Sequence, residues 1–269
     1  MLFRLGNAYA LLFGWPALAR VHRAVMYMCG RALGLHNYLS PRISGESRSI
    51  HLATSSGEAP LVFDVGANEG DWVAEVLSRS PGARVHAFEP QEALARKVAS
   101  RFPGVAVNNM AMGEVRGELE LCDYAGHPGS QHASLIKGVI DGIHQGATRY
   151  VKVPVGTVDD YCAENGIEHI DLLKIDVEGF ELKVLRGASR MLGERRVGVI
   201  QFEFNEMNVI GRSFMNDFFV CLGDSHGLYR LMPHGLMPLR QGAHWINEQF
   251  TFQNVVALPH SRGVLTRIH

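Results

Sequence analysis

From residue 61 to residue 204 the chain repeats one pattern: a short apolar run, a turn carrying glycine or an acid, then a stretch with helical spacing. Short apolar runs bounded by turns mark strands buried on both faces, and their alternation with helices calls for a parallel sheet covered by helices. The strands are expected at 61–66, 84–88, 105–108, 171–175 and 197–204. Helices are expected at 71–80, 92–102, 178–192 and 213–223; the first has Trp72, Val73, Val76 and Leu77 on one face. Residues 117–122 and 150–155 read as strands pairing at the sheet margin, and 228–231 and 251–257 as two more. The whole is expected to be α/β, a mostly parallel seven-stranded sheet with helices on both faces. The Gly- and His-rich stretch 123–149 is long for a connection and reads as a loop covering a site.

The domain reads as 59–269, preceded by an arm and linker at 1–58. Leu2, Leu5, Tyr9 and Leu12 fall at helical spacing and Pro16 interrupts the run. The Ser- and Gly-rich stretch 44–60 reads as a connector. Arg4, Arg20, Arg23, Arg31 and Arg42 lie before Gly45, whereas all 27 acidic residues lie beyond it. The first reading of the arm is a helix packed on the domain or on a second subunit, making a homo-oligomer. The others are a basic helix at a membrane surface and a signal peptide ending near Ala17-Leu18-Ala19. A net charge of -1 supplies no field for nucleic acid. Cys29, Cys122, Cys162 and Cys221 show no metal-ligand spacing and read as reduced thiols of a cytoplasmic protein, or one peripheral to a membrane.

Chemistry concentrates where strands meet helices. In Asp64-Val65-Gly66-Ala67-Asn68-Glu69-Gly70, two glycines let the backbone approach a ligand at a helix start that offers free N–H donors. The spacing differs from the G-x-G-x-x-G of dinucleotide enzymes. Asp64, Gly66, Asn68 and Gly70 are therefore candidate cofactor contacts. Glu89 ends the second strand and is placed to accept both hydroxyls of a ribose. Asn109 and Met110 follow the third strand, where an adenine would lie across the sheet edge. Asp176 ends the fourth strand and points into the crevice, with Glu178 expected at the start of the next helix.

Asp64-x-Gly-Ala-Asn-x-Gly, Phe88-Glu89-Pro90, Thr157-Val158-Asp159-Asp160-Tyr161, the Lys174 to Glu181 stretch KIDVEGFE and Gln201-Phe202-Glu203-Phe204 together resemble the FkbM-type methyltransferase family. The similarity runs over 61–259. It implies a Rossmann-like class I methyltransferase fold, S-adenosylmethionine as cofactor, and O-methylation of a hydroxyl on a small molecule, sugar or glycan. Asp64 would then face the cofactor's amino-acid portion. The family's Ser-Leu pair before the Thr-Val-Asp-Asp element corresponds to Ser134-Leu135, which adds Ser134 to the cofactor residues.

Transfer of a methyl group from a sulfonium to a hydroxyl is an in-line displacement, so alignment carries much of the catalysis and a base must take one proton. Asp176, Glu203 and the loop histidine His132 are the candidate catalytic residues, with His127 and His144 nearby in sequence. A metal-free site is preferred over Mg²⁺ held by Asp176, Glu203 and Asn205. The rival readings are a catalytically silent methyltransferase-like binding module and a nicotinamide-dependent oxidoreductase.

Overall fold

The computed structural model describes residues 1–37, 41–54, 59–124, 134–136 and 148–260. Its strands are β1 (Leu61–Val65), β2 (Arg84–Phe88), β3 (Ala106–Asn108), β4 (Ala111–Met112), β5 (Gly117–Tyr124), β6 (Thr148–Gly156), β7 (Ile170–Ile175), β8 (Val197–Phe204), β9 (His226–Met232), β10 (Gly235–Pro238) and β11 (Gln253–Pro259). Eight of them form one sheet in the order β10-β9-β11-β8-β7-β1-β2-β3. The five from β3 to β8 run parallel, while β11 enters antiparallel between β8 and β9. Chain progression reverses between β1 and β7, which opens a crevice beyond the carboxyl ends of those strands.

Strand alternation sorts the core into two faces. Leu61, Phe63 and Val65 join one buried cluster with the helices Glu181–Arg186, Ser189–Gly193 and Met215–Leu222. Val62, Leu172, Val199 and Val256 join the other, under Val73, Val76, Ile50 and Ala53. The inner strands β1, β7, β8 and β11 therefore fit the expected doubly covered sheet.

Several expectations are corrected. The stretch 44–60 contains a helix, Glu46–Thr54, with Ser49, Ile50 and Ala53 buried; it packs on β7 and β8 rather than linking. A boundary at 58/59 would leave this cover outside the domain. β5 and β6 pair with each other antiparallel but form a separate three-stranded sheet with β4, off the margin of the main one. The main sheet has eight strands because β10 folds back on β9 around Pro233-His234. The helix expected at 178–192 begins at Glu181 and breaks between Arg186 and Ser189.

The arm consists of helices Leu2–Phe13 and Ala19–Ala32, joined by a 3₁₀ turn at Pro16–Leu18. It meets the body at its last turn, where Gly30 is buried. Arg230, completely buried on β9, donates to the Leu33 carbonyl (3.4 Å), the Gln253 amide oxygen (2.7 Å) and the Ile246 carbonyl (3.1 Å). Among the described residues no helix is long and apolar enough to cross a membrane, and all four cysteines are free thiols.

Candidate functional site

The turn after β1 is shaped by what β7 places against it. The Asp176 amide donates to the Val65 carbonyl (2.9 Å). A Cβ on Gly66, whose φ is +84°, would sit 1.8 Å from the Asp176 carbonyl oxygen. Only glycine lets the two strand ends come this close. Gly66 and Ala67 donate their amides to the Phe88 carbonyl, which ties the turn to β2. Gly70, also left-handed, opens the helix Asp71–Arg79 under the Phe102 ring.

Glu89 is 4% exposed at the tip of β2. Its two carboxylate oxygens accept from the Asn68 amide (2.9 Å) and the Gln91 amide (2.8 Å). Burial pushes its pKa up to about 7 against the pull of these two donors. A carboxylate has about four acceptor positions, so each oxygen keeps room for one more donor.

Alternation along the strands puts Asp64, Lys174 and Gln201 in one row on the face covered by Glu46–Thr54. The Lys174 ammonium lies 3.1 Å from Asp64 Oδ1 and 3.2 Å from Asp176 Oδ2, and donates to the Gly66 carbonyl at 3.3 Å. Burial alone would pull this lysine down, but Asp176 and Asp64 outweigh it and hold it above its ordinary range. Asp64, with no exposure, is raised to about 6 by burial, with Lys174 opposing. Gln201 is hydrogen-bonded to Ser49 and donates to Glu46 Oε1 (3.3 Å) and Asn254 Oδ1 (3.4 Å). The covering helix thus satisfies part of the polar row.

Beyond β7 the chain turns through two left-handed residues, Glu178 (φ +53°) and Gly179 (φ +94°). Glu178 therefore sits in the turn and not in the first turn of a helix, which corrects its expected placement. The buried Glu181 holds this turn: its Oε1 accepts from the amides of Val177 (3.2 Å) and Gly179 (3.0 Å). Burial raises its pKa to about 7. From the other side the Ser134 hydroxyl donates to the Glu178 carbonyl (2.8 Å). The Thr157 element is structural. Thr157 caps the helix Val158–Glu164 by accepting from the Asp160 amide, and Asp159 accepts from the amides of Arg190 and Met191.

These parts frame an open cleft at the carboxyl ends of β1, β2 and β7. Gly66, Asn68, Glu89, Asp176 and Glu178 line it, together with apolar Phe88, Ala111, Met112, Leu121 and Leu135. Other expected site residues lie outside the lining. Asp64 is behind Lys174, Met110 packs over Gly156, and Asn109 donates to the Glu89 and Pro90 carbonyls. Ser134 spends its hydroxyl on the turn. Glu203, one strand over, accepts from Asn205 Nδ2 (3.3 Å), and burial and then repulsion from Asp176 raise it well above the usual carboxylate range. His127, His132 and His144 lie outside the described residues. Among the described residues no group of three or more His, Cys, Asp or Glu is placed to hold a metal ion.

The sequence model of the methyltransferase FkbM domain matches residues 64–226, which take in the end of β1, all of β2 and β7, and the whole cleft lining. The chain belongs to the FkbM methyltransferase family. Over 163 residues it is 24% identical to the 2-O-methyltransferase NoeI of Sinorhizobium fredii, a match covering 55% of this chain and 65% of that protein. Over 153 residues it is 30% identical to the 31-O-demethyl-FK506 methyltransferase FkbM of Streptomyces tacrolimicus, covering 47% and 58%. The chain thus matches less than two thirds of the length of these curated relatives. A solved S-adenosylmethionine-dependent O-methyltransferase from Thermotoga maritima is similar at 15% identity and a TM-score of 0.39, over 80% of this chain and 64% of that one.

S-adenosylmethionine is the cofactor of this FkbM domain, and the cleft fits it. Glu89 has unused acceptor positions for a diol. Gly66 brings the turn after β1 against the end of β7, so that the two strand ends form one floor of the cleft. Asn68 Oδ1, on the cleft lining, is buried without a hydrogen-bond partner among the described residues. The apolar wall from Phe88 to Leu135 offers a ring a dry surface.

Proposed function

We propose that this FkbM-family chain transfers a methyl group from S-adenosylmethionine to a hydroxyl oxygen of a small molecule, sugar or glycan. The observation that carries the reading is Glu89, buried at the strand end and aimed by two backbone amides while each oxygen remains able to accept. A carboxylate so held is built to grip two neighbouring hydroxyls of a ribose. When bound, the cofactor supplies a methyl group on a sulfonium, which an acceptor oxygen displaces in line. Gly66, Asn68 and Gly70 shape the turn against which it rests. Asp64 acts through Lys174, which fixes the Gly66 carbonyl and the Asp176 carboxylate in one arrangement.

Asp176, a third exposed and on the cleft wall, is the group that takes or directs the hydroxyl proton. Glu203, adjacent in the sheet to the end of β7, holds the acceptor by hydrogen bonds. Names of the relatives favour oxygen as the receiving atom: one is a 2-O-methyltransferase and another a 31-O-demethyl-FK506 methyltransferase.

Calorimetry with S-adenosylmethionine and with NAD, followed by transfer of labelled methyl to a panel of polyols, glycosides and macrolides, tests the reading. Binding of S-adenosylmethionine with label recovered as an O-methyl ether is expected. Binding of NAD alone would reinstate the oxidoreductase. Cofactor binding without transfer to any member would favour the silent module.

A further inference from the structure

The arm presents an exposed apolar surface that no contact among the described residues of its own domain covers. In the helix Leu2–Phe13, Phe3 is 81% exposed and Leu11 84%, with Leu5, Tyr9, Leu12 and Phe13 also exposed. Trp15 stands exposed at the joint, and Val21, Val25, Met26 and Met28 continue the apolar surface along the second helix. A helix that is apolar nearly all round is stable in water only when something covers it. This corrects the expectation that the arm packs along the domain: among the described residues its helices are buried only at the last turn, at Gly30.

Charge identifies the cover. Arg20, Arg23 and Arg31 fall on one side of the helix Ala19–Ala32, at spacings of three and eleven from Arg20, while Val21, Val25, Met28 and Ala32 fall on the other. With Arg4 and Arg42 these arginines share a segment that holds no acidic residue before Glu46. A second copy of the arm would bring like charges together. An anionic bilayer supplies both an apolar interior for the aromatic and aliphatic side chains and phosphates for the arginines. Tryptophan and tyrosine suit the boundary between the two. At 12 residues the first helix is about 18 Å long, too short for the roughly 30 Å hydrocarbon core, so it lies in the interface and does not span.

We infer that the arm, residues 1–32, is a membrane-docking element that seats the enzyme on an anionic lipid surface. Its base is fixed to the sheet end that carries the cleft. Gly45 lies against Met232, and the Arg230 side chain holds Leu33, on the strand whose end aligns through β11 with Phe204. The foot of the arm and the cleft therefore share one end of the sheet. The inference stands on the arm's exposure and charge, independently of what the cleft methylates.

Co-sedimentation of the full chain with vesicles tests it, comparing phosphatidylcholine alone with a mixture holding about 30% phosphatidylglycerol. The protein should bind the mixed vesicles and not the neutral ones, and roughly tenfold more weakly at about 0.5 M NaCl. The double variant Leu11→Asp/Leu12→Asp alters two exposed positions; it should melt as wild type does and lose vesicle binding. Arg20→Ala/Arg23→Ala should weaken binding severalfold. Failure of the folded wild type to bind the anionic vesicles, or equal binding to both kinds, overturns the inference. So does a dimer seen by sedimentation velocity that Leu11→Asp/Leu12→Asp dissolves, for that would make a second copy the cover.

Discussion

Replacing Glu89 by glutamine removes a charge and keeps the shape, and three effects can be worked from the structure. Burial holds the Glu89 pKa at about 7 against an ordinary 4.5, so keeping the ionised group there costs on the order of 3 kcal/mol above that pH. Glutamine removes this cost, but its amide must face one of the two backbone N–H donors now bound by the carboxylate. Leaving that donor unpaired costs about 1–3 kcal/mol. The two nearly offset, so the variant should lie within about 2 kcal/mol of wild type at pH 8.

Cofactor binding should respond differently, since two hydroxyls lose a charged acceptor. A loss of about 2 kcal/mol raises Kd roughly 30-fold. The pH profile supplies a second readout. Between about pH 4.5 and 7 native Glu89 keeps a proton that the unfolded chain has released, so its contribution to stability falls as pH rises through that window. Glu89→Gln should flatten this part of the curve of melting temperature against pH, leaving the slopes due to Asp64 and Glu181. Wild-type affinity for S-adenosylmethionine should rise with pH through about 7, and the variant's should not. Thermal melts and calorimetry from pH 5 to 8 measure both. Unchanged affinity in a folded Glu89→Gln protein refutes the ribose assignment.

Three further outcomes follow from the same geometry. Lys174→Met strands Asp64 and Asp176 without their ammonium and should destabilise the chain by about 3–5 kcal/mol in denaturant titration; a change below about 1 kcal/mol would show that the pair is replaceable. Gly66→Ala drives a methyl into the Asp176 carbonyl at a left-handed residue, so a loss of at least about 3 kcal/mol and of cofactor binding is expected in melts and calorimetry. Asp176→Asn should cut turnover roughly 100-fold in the methyl-transfer assay while cofactor Kd moves less than about threefold; a large Kd change with intact kcat would reassign it from the proton to the cofactor.

The strands of the parallel sheet could be read from the sequence because burial on both faces leaves nearly unbroken apolar runs, as in Leu61–Val65 and Ile170–Ile175. The helix Glu46–Thr54 could not. Its serines look like a connector, and the reason Ser49 is buried lies 152 residues away at Gln201. Glu178 misled for a similar reason: an acid before an apolar helical pattern reads as an N-terminal charge, yet tertiary bonds from Ser134 and Glu181 hold the stretch in a left-handed turn. Gly66, Asn68, Glu89 and Asp176 meet in the cleft because strand ends in a parallel sheet converge, which spacing alone can foretell. Glu46, Lys174 as a bridge, and Glu181 needed the fold. The one local cue for Glu181 was an acid two residues beyond Gly179, well placed to accept a turn's amides.

Arg230 has a consequence for how this chain can be cut. Among the described residues its guanidinium is bonded to no carboxylate; its partners there are neutral oxygens, one of them the carbonyl of Leu33. Burial without a counter-charge already draws its pKa down to about 10. A truncation that trims the chain past Leu33 would withdraw one of the few groups that make this cation tolerable, and would admit water to a strand next to β11. Shortened forms should therefore begin before Gly30, keeping the foot of the arm while dispensing with its greasy reach. The natural seam for dividing the molecule lies in the middle of the second helix, far from where composition would place it.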